Sequence, residues 1–266
     1  MESQMELVRP QQERNGTYWQ EWGVLTAAGI TAVMFGLPGL WPALTQTAEK
    51  MGQSMPAFLA FQLGSSAVQI ALMVAIGLFF AHGVGLGAPI LERWLNHGRV
   101  EGQFRSILVL AVGVGVLGAV TTLALDRLVF MPLLPDFTSV ISQVSGWRGF
   151  LASFYGGILE ELEMRLLLVS GIAWLLGTIS HTAAGIPSRG AFWLSIVIVA
   201  IVFGLGHLPA TSLTVAITPL VVLRAVLLNG ILGVLFGTAY WKRGLEAAML
   251  CHFSADLIVH VVFPLV

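Results

Sequence analysis

Long apolar runs separated by short polar stretches set the pattern of this chain. Asp, Glu, Lys and Arg are absent from Trp22–Leu44, Pro56–Ile90, Ser106–Leu125 and Gly190–Leu223. Each run matches or exceeds the roughly 20 residues needed to cross about 30 Å of hydrocarbon. Strands of a membrane barrel would instead alternate in segments of about 10 residues. The pattern predicts an all-α fold, a polytopic transmembrane helical bundle. Spans are expected at 22–44, 56–83, 106–125, 149–178, 190–208, 216–240 and 246–266. An eighth, broken or re-entrant piece is expected if Leu128–Pro135 continues the third span. Residues 1–21 read as a polar, exposed tail, 22–135 as helices without a chemical motif, and 149–266 as the candidate catalytic core.

Composition agrees with a bilayer setting. Of the 266 residues 56% are hydrophobic and 10% charged, against about 25% charged in a typical soluble domain. A net charge of −1 gives no basic face for nucleic acid, and the single Cys251 excludes an internal disulfide. Residues 1–21 hold no apolar stretch of the signal-peptide kind. Lys and Arg outside the spans favour an N-terminus on the inner side, where Arg9, Arg14, Arg93, Arg99, Arg105, Arg189, Lys242 and Arg243 would gather. Lys50, Arg127 and Arg148 would face out. Trp19, Trp22, Trp41, Trp94, Trp147 and Trp241 fall near expected span ends, as interfacial anchors do. With no appended domain or targeting signal, a prokaryotic plasma membrane is the expected location.

Against that background, ionisable residues inside spans stand out, because they are costly and by default face a bundle interior or a watery cavity. The fourth span carries Glu160, Glu161, Glu163 and Arg165 within "ILEELEMRLLL". The fifth ends in "VFGLGH", with Phe203 and His207 one turn apart. The seventh carries "HFSADLIVH", placing His252, Asp256 and His260 at successive i, i+4 spacings. Glu161 and Arg165, also i, i+4, are expected to pair, leaving Glu160 to point elsewhere around the helix. His252 and Asp256 share a face, so the carboxylate is expected to orient the imidazole. Gly156, Gly157, Gly204 and Gly206 would let these helices approach closely. Each feature has a plainer reading: a structural ion pair, a satisfied core histidine, a core aromatic. Arg224 is expected to meet a buried partner or snorkel, and Glu246 to favour the N-terminal dipole of the last helix.

Taken together and in order, the residues resemble a known family. "EELEMR" (Glu160–Arg165) is similar to an EExxxR motif, "FGLGH" (Phe203–His207) to FxxxH, and "HFSAD" (His252–Asp256) to HxxxN/D. The set resembles the CAAX-prenyl-protease and bacteriocin-processing superfamily, the CPBP or Abi proteins, which includes Rce1-type CAAX endopeptidases. The resemblance spans about residues 149–260. It implies a glutamate-dependent intramembrane endopeptidase acting on a membrane-attached protein or peptide. By motif position, it implies that Glu160 activates water, His207 holds or polarises it, and His252 with Asp256 forms the oxyanion side. Glu161, Arg165 and Phe203 would support them. Many members carry Asn where this chain has Asp256, and CAAX-cleaving relatives are usually described with eight helices.

Peptide hydrolysis needs a base for water, stabilisation of an oxyanion and an acid for the leaving amine. A carboxylate can serve as base and then acid, and a histidine N–H can serve the oxyanion. An ionised Asp256 cannot donate to an oxyanion, so it is either protonated in its apolar site or fixes the tautomer of His252, and the i, i+4 geometry makes the second the expected role. This chemistry calls for no cofactor. A zinc site from Glu160, His207, His252 and Asp256 is the metal alternative, although HExxH is absent. A non-catalytic immunity or scaffold protein of the same fold is a second reading. A proton-coupled transporter is a third, without the inverted repeat that would favour it. One difficulty is geometric. On straight spans, His207 and His252 would differ in depth by roughly 13–17 Å, too far to share a water unless the fifth span is shorter, tilted or followed by a dipping segment.

Overall fold

The computed structural model describes residues 11–134 and 146–263, with side chains from Thr17 onward. The described chain is helical, with no strand beyond an isolated bridge between His181 and Pro187. We label the helices α1 (Gln11–Lys50), α2 (Met55–Gly83), α3 (Pro89–Leu95), α4 (Glu101–Leu133), α5 (residues 146–177), α6 (Arg189–Thr211), α7 (Pro219–Arg243) and α8 (Leu245–Val262). Six of them, α1, α2, α4, α6, α7 and α8, are long and apolar enough to cross a membrane. The chain is an integral membrane protein.

The fourth expected span is α5, a helical run broken into α and π pieces and carrying the charged motif, so it is not among the six. Helix α4 continues past Leu125 as a π turn, Asp126–Phe130, and a 3₁₀ turn, Met131–Leu133, taking up most of the stretch considered for an extra piece. Pro135 lies outside the described residues. The first helix starts well before residue 22. Within the expected tail, Tyr18 donates its hydroxyl to Ala75 O of α2 at 2.6 Å, and Glu21 is buried.

Local sequence sets the helix ends. Ser188 and Thr218 cap α6 and α7 by accepting from Ala191 N and Val221 N, and Pro219 stands where its missing N–H costs nothing. Gly244, at φ +96°, makes the tight reversal from α7 to α8, and a Cβ there would strike Pro89. Glu246 does not serve its own helix alone. Its Oε1 accepts from Ile90 N and Leu91 N at 2.9 and 2.8 Å, capping α3.

Lipid is as apolar as leucine, so close packing of small residues and buried polar contacts must hold such helices together. Along α7, Gly233 and Gly237 admit Ala200 and Ile196 of α6. Gly204 of α6 faces the Val226 backbone of α7, and Gly115 of α4 faces Cys251 O of α8. The buried centre gathers Leu78, Leu162, Leu166, Val169, Ile196 and Phe203. Leu72, Phe79, Val109 and Leu117 point outward, as lipid-facing residues do. The result places α5 between α1 and α2 on one side and α6, α7 and α8 on the other.

Candidate active site

The motif of α5 lies on a widened helix. Tyr155–Glu160 and Leu162–Val169 are π-helical, with Glu161 the junction between them. Such i→i+5 turns are rare and recur at functional sites. They divide the adjacent glutamates. Glu161 is fully buried, whereas the Glu160 side chain keeps 26% of its surface open.

Glu161 holds the centre. One carboxylate oxygen, Oε1, lies 2.8 Å from Nδ1 of His252, and the other, Oε2, lies 3.1 Å from Nε of Arg165. The i, i+4 contact expected from sequence is present. It is a contact of charges rather than an aligned hydrogen bond, since neither Glu161 Oε2 nor Arg165 Nε has a hydrogen-bond partner. Arg165, fully buried, donates from Nη2 to Gly233 O at 3.3 Å. Its guanidinium lies 5.3 Å from the ring centre of Phe203 and 5.6 Å from that of Phe236, within cation–π range.

Two aromatic rings pack against His252. Phe236 stacks on it with ring centres 4.6 Å apart and planes 22° apart, and Phe203 meets it edge-on at 5.6 Å. With Nδ1 engaged by Glu161, Nε2 faces Asp256 Oδ1 at 3.6 Å and Glu160 Oε2 at 3.8 Å. Sequence spacing assigned the orientation of His252 to Asp256. In the structure Glu161, from another helix, takes the Nδ1 side and Asp256 sits by Nε2. Asp256 lies between two imidazoles, with His260 Nε2 at 3.9 Å.

Phe203 joins the remaining histidine to this group. Its ring lies 4.8 Å from that of His207 and 5.6 Å from that of His252. The imidazoles are therefore no further apart than those two distances laid end to end. The depth difference expected from straight spans overstated the gap. His207 closes the Arg189–Gly206 segment, with Nδ1 2.8 Å from Phe203 O one turn back. A carbonyl oxygen only accepts, so Nδ1 carries the hydrogen and Nε2 of the neutral ring is left to accept.

The close approach of α5 and α8 depends on glycine. A Cβ at Gly156 would meet Asp256 Oδ2 and lie 3.1 Å from His252 Nε2, and one at Gly157 would lie 2.9 Å from Phe253 Cβ. Gly206 faces open space and serves no such contact. Glu163 stands apart from the Glu161–His252 pair, and the Asn229 amide turns back on its own helix, to Ala225 O. Arg224 pairs with Asp126 of α4 through two hydrogen bonds, Nε to Oδ1 at 2.7 Å and Nη2 to Oδ2 at 2.6 Å. The zinc alternative requires converging ligand atoms. Among the described residues, Glu160, His207, His252 and Asp256 do not bring three such atoms within 4.8 Å of one another.

Phe236 and Gly233 escaped sequence reasoning. Their one signal is the Gly233–Gly237 spacing, a GxxxG step that marks an intimate helix face. Compared with known proteins, residues 142–258 match the family model described as Type II CAAX prenyl endopeptidase Rce1-like. No curated protein and no solved structure shows significant similarity to the chain.

Proposed function

We propose, for a chain whose residues 142–258 form an Rce1-like domain of the CPBP superfamily, that it is a glutamate-dependent intramembrane endopeptidase. Its substrate is a peptide bond in a membrane-attached protein or peptide. The observation that carries this reading is the division between the two glutamates. Glu161 is sealed and fully committed to His252 and Arg165, while Glu160 is partly open and lies 3.8 Å from His252 Nε2. A water beside that gap can reach both groups.

Glu160 takes a proton from this water as the oxygen attacks the scissile carbonyl carbon, and returns it to the departing amine. His207, with its hydrogen on Nδ1, accepts from the same water through Nε2 and helps to aim it. His252, protonated on both nitrogens, gives Nδ1–H to Glu161 and turns Nε2–H toward the developing oxyanion, an interaction of the kind whose loss typically costs about 10²–10³ in rate. Asp256 completes this side and donates only when protonated. Glu161, Arg165, Phe203 and Phe236 act by holding His252. The scheme draws on no cofactor, and in this reading the N-terminus lies on the inner side of a prokaryotic plasma membrane.

The test is cleavage of a tethered membrane peptide library by the purified protein, with and without chelator, for wild type and Glu160→Gln. Cleavage by the wild type that survives chelation and disappears in the variant supports the proposal. Cleavage abolished by chelator and restored by zinc would replace it with a metalloprotease. A wild type that cuts nothing across a broad library favours the scaffold or immunity reading.

A further inference from the structure

A second cluster of ionisable residues lies at the end of the bundle where α7 turns into α8, away from the motif residues. A cavity of about 950 Å³ opens there, lined by residues that include Glu21 of α1, His82 of α2, Glu92 of α3, Gln103 of α4 and Gly244. Glu21, His82 and Glu92 each turn a ligand atom to the same point, and the three atoms lie within 4.8 Å of one another. His82 Nε2 is 3.1 Å from Glu21 Oε2 and 3.9 Å from Glu92 Oε1.

From this convergence we propose a divalent metal site of the zinc class, formed by Glu21, His82 and Glu92 and separate from the peptidase centre. Ligand atoms bonded to one tetrahedral zinc at 2.0–2.2 Å stand roughly 3.3–3.6 Å apart. The two imidazole–carboxylate separations bracket that value, and the two carboxylate oxygens lie within 4.8 Å of each other. A second observation points to a ligand independently of the spacing. Glu21 is 1% exposed, and its Oε2, facing His82, has no hydrogen-bond partner despite the 3.1 Å approach. Gln103 Oε1, on the same cavity, is another buried acceptor without a donor. A metal ion would satisfy the first directly.

The donor set, one imidazole and two carboxylates without thiolate, suits zinc and its first-row neighbours. Three protein ligands leave a position open to the cavity. His82 is accessible enough to admit the ion, with 36% of its side-chain surface open. Because the ligands come from α1, α2 and α3, binding would tie together helices that lack the family motifs. Lys242 and Arg243 also line the cavity, and if they alone balance the carboxylates the protein will not take up zinc.

The test is zinc binding by the full-length protein in detergent, stripped with chelator and dialysed, followed by titration calorimetry and a metal count per chain. Wild type should bind one zinc per chain and unfold at a higher temperature with it. His82→Gln and Glu92→Gln, which alter accessible side chains, should each lose more than the roughly 100-fold that removal of an outer-shell partner can cost, together with the thermal shift. Glu21→Gln should do the same if it folds. Glu160→Gln and His252→Ala should keep zinc binding, so this outcome is independent of peptidase activity. No binding by wild type, undiminished binding by His82→Gln and Glu92→Gln, or loss confined to the Glu160 and His252 variants would overturn the proposal.

Discussion

Replacing Arg165 with Met separates the two jobs of the buried charge cluster. The side chain is fully buried, and its removal leaves the buried Glu161 carboxylate with His252 but without the guanidinium. Breaking a buried pair in this way costs about 3–5 kcal/mol. Two features favour the lower end. The Glu161–Arg165 contact lacks hydrogen-bond alignment, and Glu161 keeps its 2.8 Å contact with His252. Methionine also fills much of the space between Phe203 and Phe236 that the guanidinium occupies. The expected loss is therefore about 3 kcal/mol. Equilibrium unfolding in mixed micelles measures it, and a double-mutant cycle assigns its origin. Glu161→Gln with Arg165→Met removes both charges and should recover at least about half of the lost stability, as replacing a whole buried pair is often neutral. Activity should not recover with it, because the neutral amide that replaces the Glu161 carboxylate no longer offers His252 a charged acceptor. A double variant no more stable than Arg165→Met alone would refute the reasoning from an orphaned charge.

Two further substitutions probe the packing around this group. Gly156→Ala directs a methyl at Asp256 and His252, and should destabilise by about 1–3 kcal/mol while lowering activity disproportionately. Unfolding and cleavage measured on the same preparation check this, and unaltered activity would mean that α5 and α8 need not approach so closely. Arg224→Gln removes both hydrogen bonds to the buried Asp126. It should cost about 1–3 kcal/mol, largely relieved in the Asp126→Asn, Arg224→Gln double variant, as unfolding would show.

The membrane character and most spans were legible because uncharged runs of this length have few other uses. The motifs on α5, α6 and α8 were legible because charge inside a span is conspicuous. Contacts between helices were not legible. Sequence spacing paired His252 with Asp256, the partner one turn away, whereas Glu161 reaches Nδ1 from α5, a contact that only packing creates. The π turns around Glu161 left no periodic signature, because each rearranges a few residues inside a continuous helix. Phe236 carried no signal of its own in the sequence, and its stack on His252 is created only by the packing of α7 against α8. Residues 17–21 looked solvent-exposed because they are polar, yet Tyr18 and Glu21 pack where α1, α2 and α3 meet.

The measurement that tests the central claim most directly is the cleavage rate of one substrate in liposomes by wild type, Glu160→Gln and Glu161→Gln, each normalised to folded protein. If Glu160 is the base, Glu160→Gln should lose at least about 10²–10⁴ in rate, the usual contribution of general acid–base catalysis, with wild-type stability. Glu161→Gln should lose stability as well as rate. Glu160→Gln cleaving at a rate near wild type would contradict the account, whatever became of Glu161→Gln.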